Sequence, residues 1–509
     1  MTVPNSQPIK NYSLFIDGQL QEPASGRYDD VVNPATGEVI AQIAMGDSVD
    51  VDLAVKAAKQ AFSDTAWRRM SPLDRSKMLN SVANAIMSHA MELAQLEVAC
   101  SGGTIGRVMA LDIPASVDLF ATLAEEVKTY PFVTSLSPRP LPEQVHTQVW
   151  KEPIGVCGLI TAWNFPIMLL AMKLAPALAA GNTVVIKPSE LTPTSTVRLA
   201  EIISEILPKG VVNVVTGLGE DVGEAMSLHP DINKISFTGS TRIGKHVQRT
   251  AVDTMKRVTL ELGGKGAGIV MPDANLERTA YGALFGVYMN SGQACESGTR
   301  LLVHESIYNQ MIDQLVTISA GMKMGNPADP KIGMGPMSTH EHGERVLGYI
   351  ESAKEQGATV VCGGKRAEVP GCEGGFFVEP TIIADVTNDM RVAREEIFGP
   401  VLSVIKFSTT EEAIEIANDS DYGLSAGIWT EDLIEAQHLA RELQAGSVWI
   451  NDWHMMRTDA PFGGYKQSGY GREFSKSSLD SYTETKSISS SFEQDVSKKT
   501  LYKTLFKTH

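Results

Sequence analysis

The chain has 509 residues, which is too long for one hydrophobic core, so we expect two or three domains. Its hydrophobic content of 43% and charged content of 20% are those of an ordinary globular protein. The formal net charge of −16 argues against a nucleic-acid partner, because phosphate binding requires clustered Lys and Arg.

The cysteines and the apolar stretches lead to expectations about the compartment. Five cysteines are an odd number and too sparse for a disulfide framework, so we expect free thiols in a reducing cytoplasm. Met1–Gln19 lacks the basic segment and apolar run of a secretory signal. The longest apolar stretch, Pro166–Ala180, is interrupted by Lys173 and Pro176 and is too short to span a bilayer. We therefore expect no membrane partner.

Helical segments come first in the predicted order of elements. Apolar residues at three- and four-residue spacing predict a helix over Asp50–Phe62, and Asp74–Cys100 is predicted to form two further helices. Because these helices precede the first strong strand, we expect them to form an N-terminal layer.

An alternation of strands and helices begins near residue 154. This order predicts an α/β fold with a doubly wound, Rossmann-like parallel sheet, which binds its ligands at the carboxyl ends of the strands. Short apolar runs, typical of strands buried on both faces, mark the predicted strands Val156–Ile160, Thr183–Ile186, Val211–Val215, Lys234–Phe237 and Val258–Leu262. The predicted helices between them are Met168–Ala180, Thr196–Leu207, Asp221–Leu228 and Arg242–Asp253.

A second α/β region is predicted from about Ala267 to Trp449, with a helix at Leu276–Met289 and Cys295 in the loop that follows it. Its predicted strands are Gly268–Val270, Leu301–Val303, Thr359–Cys362, Val401–Ile405 and Ser447–Ile450. Two polar segments with β-branched residues, Gln144–Lys151 and Ser481–Ser491, stand apart from both regions. They predict strands of a small outlying sheet.

Three segments are candidates for a nucleotide site. Ser236–Gly244 reads as a strand, a tight turn and a helix start, which suits a pyrophosphate, although its GSTxxG pattern also fits a simple glycine turn. Lys187 and Glu190 follow another strand and can both reach ribose hydroxyls, or form a surface ion pair. A carboxylate repels a 2′-phosphate, so Glu190 favours NAD over NADP. Glu396 and Phe398 can hold a ribose and a nicotinamide ring, although a helix end explains their spacing equally well.

Cys295 is the candidate nucleophile, because Gly, Ser, Gln and Ala surround it and leave its sulfur accessible. Cys157 lies inside an apolar strand and is predicted to be inert. Glu261 supplies a carboxylate that can activate water, and a thiol followed by activated water is a two-step route for acyl chemistry. Glu296 is expected to raise the pKa of the adjacent thiol. Activation must therefore come from the fold, from a carboxylate acting as base or from a bound cofactor.

Asn164 follows the first buried strand, where its amide can donate to an oxyanion or simply cap a turn. The ten histidines form no HExxH pattern, and no two cysteines have zinc-site spacing. The sequence therefore predicts no metal.

Taken together, these segments resemble the aldehyde dehydrogenase superfamily, in particular its hydrolytic, non-acylating NAD(P)-dependent members. The resemblance covers roughly residues 10–490, and the motifs occur in the order found in that family. They are Ala162–Pro166, Lys187–Glu190, Phe237–Gly244, Leu260–Lys265, Gly292–Cys295, Glu395–Pro400 and Pro461–Gly469.

The resemblance implies NAD(P)-dependent oxidation of an aldehyde to a carboxylic acid. Cys295 would form a thiohemiacetal and then a thioester, Asn164 and the Cys295 backbone N–H would hold the oxyanion, and Glu261 would activate water. The cofactor would be NAD, with NADP as an alternative. Its implied binding residues are Trp163, Lys187, Glu190, Gly239, Ser240, Gly244, Glu396 and Phe398, and the implied proton path is Lys173 and Glu473.

The same resemblance implies a domain organisation and a homodimer or homotetramer. The ranges are a cofactor domain at 1–130 and 153–265, a catalytic domain at 266–475, an oligomerisation arm at 131–152 and 476–495, and a tail at 496–509.

The implied substrate pocket is mostly apolar, and four of its residues are Met, which predicts a medium-sized apolar or aromatic aldehyde. The pocket residues are Phe165, Met168, Leu169, Met172, Met289, Ala294, Glu296, His454, Met456 and Phe462. A betaine, amino-aldehyde or semialdehyde substrate remains an alternative. Met172 and Met289 occupy places where betaine-aldehyde relatives often carry aromatics, and Glu296 disfavours anions such as succinic semialdehyde.

Three rival functions fit the sequence less well. An acylating dehydrogenase that uses coenzyme A usually lacks the glutamate found here as Glu261. A catalytically silent binding or structural protein on the same scaffold is disfavoured by the joint presence of Cys295, Glu261 and Asn164. A plain cysteine hydrolase lacks an obvious His partner in the sequence and leaves the nucleotide motifs unexplained.

Overall fold

A computed structural model describes residues 10–138 and 145–506 of the chain. One eight-stranded and one seven-stranded sheet, both largely parallel, form the centres of two α/β units. The predicted α/β fold class is therefore confirmed. Three parts of the predicted ranges, residues 1–9, 139–144 and 507–509, lie outside the described residues.

The eight-stranded sheet has five parallel strands at its centre and antiparallel strands at both edges. Its strands lie in the order Gly469–Tyr470, Arg257–Glu261, Lys234–Thr238, Val156–Ile160, Thr183–Lys187, Val212–Val214, Leu14–Ile16 and Gln19–Gln21. All five predicted strands of this unit are present, within one residue at each end. The edge strand Gly469–Tyr470 joins this sheet although its position falls within the range predicted for the second domain.

Helices cover this sheet, and one of them is buried along its whole length. Pro166–Ala180 begins with Pro166 in its first turn and ends at Gly181, whose φ of 94° is the left-handed conformation common at helix ends. The other helices of this unit are Ser48–Ser63, Thr65–Arg68, Pro72–Ser88, Ala90–Ser101, Ile105–Arg107, Ile113–Thr129, Thr194–Ile203, Glu224–Leu228 and Thr241–Ala251, with π turns at Val108–Asp112 and Gly219–Gly223.

The seven-stranded sheet is parallel except for one edge strand, Thr359–Cys362. Its order is Thr359–Cys362, Thr381–Ala384, Val401–Phe407, Arg300–His304, Ala267–Val270, Ser425–Trp429 and Ser447–Ile450. The helices of this unit are Leu276–Tyr288, Tyr308–Ser319, His340–Glu355, Arg391–Arg394, Thr410–Asn418 and Leu433–Glu442. Short strand pairs occur at Arg366–Ala367 with Phe377–Val378 and at Tyr422–Gly423 with Tyr465–Lys466.

A third sheet, here called the arm sheet, consists of Val133–Ser135, Val145–Pro153 and Thr483–Ser491 in antiparallel pairing. This confirms the outlying sheet. Of the predicted bounds, Gln144 lies outside the described residues, and Ser481 belongs instead to the preceding helix Ser475–Ser481.

Five short N-terminal strands were not predicted from the sequence. Lys10–Tyr12, Val39–Ala44 and Tyr28–Val32 form a separate sheet, and Leu14–Ile16 with Gln19–Gln21 extends the eight-stranded sheet. These strands are short and gain stability only by pairing with distant segments, so their local sequence gives little signal. The predicted helices do precede the first strong strand, Val156–Ile160.

Some helix bounds also differ from the predictions. Thr194–Ile203 ends before the predicted Leu207, and the first residues of predicted Asp221–Leu228 belong to a π turn. Helix Ile113–Thr129 was not predicted. Over the two described stretches of the chain, no helix combines the length and the apolar character needed to cross a bilayer.

Candidate active site

A cavity of about 360 Å³ lies where the carboxyl ends of the parallel strands in the eight-stranded sheet face the second α/β unit. Strands Val156–Ile160 and Lys234–Thr238 lead directly into loops that line it. The lining includes Asn164, Ser240 and Cys295. The sequence-predicted nucleotide and thiol segments therefore meet in one space of a size typical for ligand sites.

One end of the cavity is formed by the start of helix Thr241–Ala251. Ser240 caps this helix, and its Oγ accepts a hydrogen bond from the backbone N–H of Ile243 at 3.4 Å. Gly239 and Ser240 both line the cavity. Free N–H groups and the positive end of the helix dipole suit a pyrophosphate at this position.

Gly244, also predicted to bind the cofactor, lies farther along the same helix and faces Leu262. It is buried, and a Cβ at this position would overlap the side chain of Leu262. The glycine therefore allows the helix to pack closely on the end of strand Arg257–Glu261. It is not among the residues that line the cavity.

Lys187 and Glu190 pair with each other beside the cavity. Lys187 Nζ lies 3.3 Å from Glu190 Oε2 and donates to the Pro188 carbonyl at 2.8 Å. Burial lowers the pKa of Lys187, and the charge of Glu190 opposes this shift. Leu191, which follows the pair, lines the cavity.

An aromatic cluster forms the other end of the cavity. The Trp163 ring lies edge-on to Phe398 and to His342, with centroid distances of 5.5 and 5.8 Å. His342 Nε2 lies 2.7 Å from the Phe398 carbonyl, and burial lowers the pKa of His342, so its neutral ring donates through Nε2–H. The sequence analysis missed His342, although a helix start after Thr339 was a usable signal.

Glu396 links the two units beside this aromatic cluster. Its Oε1 accepts a hydrogen bond from the Gly264 backbone N–H at 2.9 Å, and desolvation raises its pKa to about 7. Gly263 lacks a Cβ, which would overlap the Glu396 carboxylate. Arg345, also missed from sequence, donates to the Glu396 carbonyl at 3.2 Å.

The loop before Cys295 has an unusual backbone. Asn290, Ser291 and Gly292 have consecutive φ values of 52°, 56° and 73°. A Cβ on Gly292 would overlap the Gly399 carbonyl, and one on Gly264 would overlap the carbonyl of Cys295. Close backbone packing therefore holds the thiol in place, and strained φ values of this kind persist only where the surroundings enforce them.

The Cys295 thiol is surrounded by acidic groups. Its Sγ donates to Glu296 Oε2 at 3.2 Å. Burial raises the pKa of Cys295 well above its usual value, and the charges of Glu296, Glu396 and Glu261 raise it further. The expected effect of Glu296 on the thiol is therefore present.

Glu261 is buried at the end of its strand, and neither carboxylate oxygen has a hydrogen-bond partner within residues 10–138 and 145–506. Burial raises its pKa well above 4.5, and Glu473 raises it further while Lys173 opposes. Lys173 Nζ lies 2.9 Å from Glu473 Oε1, and Ser236 Oγ bonds to both at 3.0 Å. The two predicted path residues thus meet behind Glu261, with Ser236 as a third member.

Asn164 is held against the Cys295 loop. Its Nδ2 donates to the Gln293 carbonyl at 3.0 Å, and its own carbonyl accepts from Asn290 Nδ2 at 3.0 Å and Arg107 Nη1 at 3.3 Å. A side-chain amide has two N–H donors, so the second remains for an oxyanion.

Arg107 belongs to a buried charged group that the sequence analysis missed. Its Nη2 lies 2.9 Å from Asp112 Oδ2, and its guanidinium lies over the Phe165 ring, 4.6 Å from the centroid. Nearby Glu97 accepts a hydrogen bond from the Ile167 N–H at 3.1 Å. These residues come from the N-terminal helices, so only the folded chain brings them to Asn164.

The predicted substrate residues are all buried or partly buried. The apolar ones are buried in a single cluster against which Cys295 and Met456 pack, and they are Phe165, Met168, Leu169, Met172, Met289, Ala294 and Phe462. The remaining two, Glu296 and His454, form a buried pair in which Glu296 Oε1 lies 3.0 Å from His454 Nδ1.

Comparisons with known proteins show which family the chain is similar to. Residues 21–488 match the profile described as "Aldehyde dehydrogenase family". The chain is 43% identical over 479 residues to the putative aldehyde dehydrogenase DhaS of Bacillus subtilis (strain 168), covering 93% of this chain and 94% of that relative.

Solved structures are similar over nearly the whole chain. A putative aldehyde dehydrogenase from Burkholderia cenocepacia has a TM-score of 0.91 at 41% identity, covering 94% of this chain and 97% of that one. Betaine aldehyde dehydrogenase from Staphylococcus aureus in complex with NAD⁺ has a TM-score of 0.92 at 38% identity, covering 95% and 96%.

The backbone at Gly292 generates a prediction. Gly292→Ala must displace the loop, because the new Cβ meets the Gly399 carbonyl and φ is 73°. A displacement of about 1 Å at Cys295 is expected to lower turnover about 100-fold. Steady-state kinetics would measure this. Gly371→Ala is the control, since φ is 79° there but no atom lies within 4 Å. Equal turnover in Gly292→Ala and the wild type would contradict the conclusion that the backbone at Gly292 holds Cys295 in place.

Proposed function

The chain belongs to the aldehyde dehydrogenase family. We propose that Cys295, Glu261 and Asn164 carry out the NAD-dependent oxidation of an aldehyde. The observation that supports the assignment best is a single cavity with a Ser240-capped helix start at one end, the Trp163 and Phe398 rings at the other and Cys295 on its wall. The helix start suits the pyrophosphate of a dinucleotide, and the aromatic rings offer a surface for its nicotinamide. The residues present therefore fit NAD.

In the first step, Cys295 Sγ attacks the aldehyde carbon and forms a thiohemiacetal. The second N–H of Asn164 Nδ2 and the Cys295 backbone N–H stabilise the oxyanion, and one such donor is worth roughly 100- to 1,000-fold in rate. Bound NAD⁺ supplies the acceptor for the hydride that leaves the substrate carbon. The product on the enzyme is a Cys295 thioester.

In the second step, Glu261 removes a proton from the water that attacks the thioester, and the carboxylic acid is released. A raised pKa makes the Glu261 carboxylate a stronger base than an ordinary glutamate. The Lys173–Ser236–Glu473 group behind it then carries the proton away from the site.

The substrate is a medium-sized apolar or aromatic aldehyde in this proposal. The support is the large apolar cluster against which Cys295 packs. Its members include Met168, Met172 and Met289, whose flexible side chains can adapt to variable shapes. The buried carboxylate of Glu296 opposes a second negative charge beside the thiol.

Betaine aldehyde is the second candidate substrate. The S. aureus relative named for that substrate shares 38% identity with this chain, and the Glu296 carboxylate is compatible with a cationic head group. Met172 and Met289, at places where such relatives often carry aromatics, argue against it, because sulfur side chains offer no aromatic face for a cation.

The roles of Cys295 and Glu261 lead to a paired prediction. Cys295→Ala is expected to abolish NADH formation. Glu261→Gln is expected to form about one NADH per active site in a burst and then turn over at least 100-fold more slowly, because thioester hydrolysis loses its base. Stopped-flow absorbance of NADH distinguishes the two, with exposed Glu411→Gln as control. Unchanged NADH formation in Cys295→Ala would restore the catalytically silent alternative.

The substrate proposal is tested by kcat/KM for hexanal, benzaldehyde, betaine aldehyde and succinic semialdehyde. Hexanal or benzaldehyde is expected to exceed succinic semialdehyde at least tenfold, about 1.4 kcal/mol of transition-state binding. A preference for succinic semialdehyde would overturn the proposal. A preference for betaine aldehyde would establish the second candidate.

We also propose that the arm sheet, within ranges 131–152 and 476–495, joins copies of the chain into a dimer or tetramer. It would project from a cofactor domain at 1–130 and 153–265 and a catalytic domain at 266–475. The support is that Thr483–Ser491 is a long strand at the edge of its sheet, with Ile488 exposed. Edge strands of this kind readily pair with another chain.

Light scattering coupled to gel filtration tests this assembly. The wild type is expected to elute as a dimer or tetramer. Ile488→Asp is expected to elute as smaller species, because the substitution places a charge in the contact between two arm sheets. Met255→Asp, at another exposed apolar position, is the matched control and should change nothing. A monomeric wild type would contradict the arm's role.

A further inference from the structure

The Cys295 thiol faces three carboxylates that come from different parts of the fold. Glu296 follows it in the same loop, Glu261 ends a strand of the eight-stranded sheet, and Glu396 lies beside the aromatic cluster. Of these, Glu296 is the one that accepts a hydrogen bond from the sulfur, at 3.2 Å. A basic side chain, His454, contacts Glu296 on the other side.

The Glu296–His454 pair is held firmly in the second unit. Both side chains are at most 4% exposed, and Glu296 Oε1 lies 3.0 Å from His454 Nδ1. The Glu296 carbonyl accepts from Ser425 Oγ at 2.8 Å and Trp453 Nε1 at 2.9 Å. The Phe285 ring lies edge-on to His454 at 5.3 Å.

His454 also has a strained backbone, with a φ of 58°. A non-glycine residue keeps such a conformation only where the surrounding structure enforces it, and such residues cluster at functional sites. The loop is therefore built to present this imidazole to Glu296.

The three carboxylates differ in charge. Burial raises the pKa of Glu261 and brings that of Glu396 to about 7, so both bind protons more readily than an ordinary glutamate. Burial also acts to raise the pKa of Glu296, but the contact and charge of His454 outweigh it and lower the pKa below its usual value. Glu296 thus carries the permanent negative charge beside the sulfur.

We propose that the Glu296–His454 pair keeps Cys295 as the neutral thiol while the cavity lacks its cofactor. Glu296 is then a positioning residue that holds the nucleophile unreactive, rather than the base that activates it. Activation requires one proton to leave Sγ for water, with no change in the oxidation state of sulfur. The positive charge of a bound, oxidised nicotinamide ring would favour that ionisation.

This inference rests on the proposed role of Cys295 as nucleophile, yet it is tested without substrate or turnover. Only the thiolate reacts with iodoacetamide, so the alkylation rate of cofactor-free enzyme across about pH 6 to 10 reports the ionisation of the thiol. Mass spectrometry of the Cys295 peptide isolates this thiol from the other four cysteines.

In Glu296→Gln, the midpoint of the alkylation profile is expected to fall by at least one pH unit. Alkylation near pH 7.5 then becomes about tenfold faster than in the wild type. Glu296→Asp retains the charge and is expected to stay closer to the wild type. Glu277→Gln, an exposed carboxylate on helix Leu276–Tyr288, is the control and should leave the profile unchanged.

An unchanged or higher midpoint in Glu296→Gln would overturn the proposal, and a higher one would identify Glu296 as the activating base. If that variant does not fold, the alkylation midpoint of the wild type still tests the proposal. The proposal requires its midpoint to lie above the ordinary thiol value of about 8.5, and a midpoint at or below that value contradicts it. A separate result, turnover retained in Cys295→Ala, would show that Cys295 is not the nucleophile.

Discussion

Three carboxylates act on the single thiol of Cys295, and two of them, Glu261 and Glu296, are buried. Removing a carboxylate from water favours its protonated form, and Glu261 shows this effect strongly. Glu296 departs from it because His454 stabilises its charge. In the proposed mechanism one carboxylate accepts a proton from water while another keeps a fixed charge. Different environments thus assign different roles to identical side chains.

Close backbone packing between the two α/β units makes this arrangement rigid. Gly264 and Gly292 leave no room for a side chain where the Cys295 loop meets its neighbours. The Gly264 N–H also binds the Glu396 carboxylate, so one short segment positions both the thiol loop and the cofactor end of the cavity. Catalytic geometry that tolerates errors of only about 1 Å requires such support.

Local patterns in the sequence predicted much of the fold. Strands Val156–Ile160 and Thr359–Cys362 have the predicted bounds, because an apolar run between turn residues can be recognised without knowing which strands it pairs with. The strand–turn–helix at Ser240 and the small-residue loop at Cys295 were recognisable for the same reason. Residues that act through distant contacts could not be recognised from the sequence. His342, for example, reaches the site only because its helix packs beside Phe398. The pairing of Glu296 with His454 likewise depends on the fold alone.

In the proposed mechanism, Cys295 becomes acylated during oxidation. Peptide mass spectrometry of Glu261→Gln enzyme, acid-quenched after mixing with NAD⁺ and benzaldehyde, detects this acylation. We expect a benzoyl thioester on the Cys295 peptide in nearly every molecule. Formation of NADH with no adduct on that peptide, or with the adduct on another residue, would contradict it.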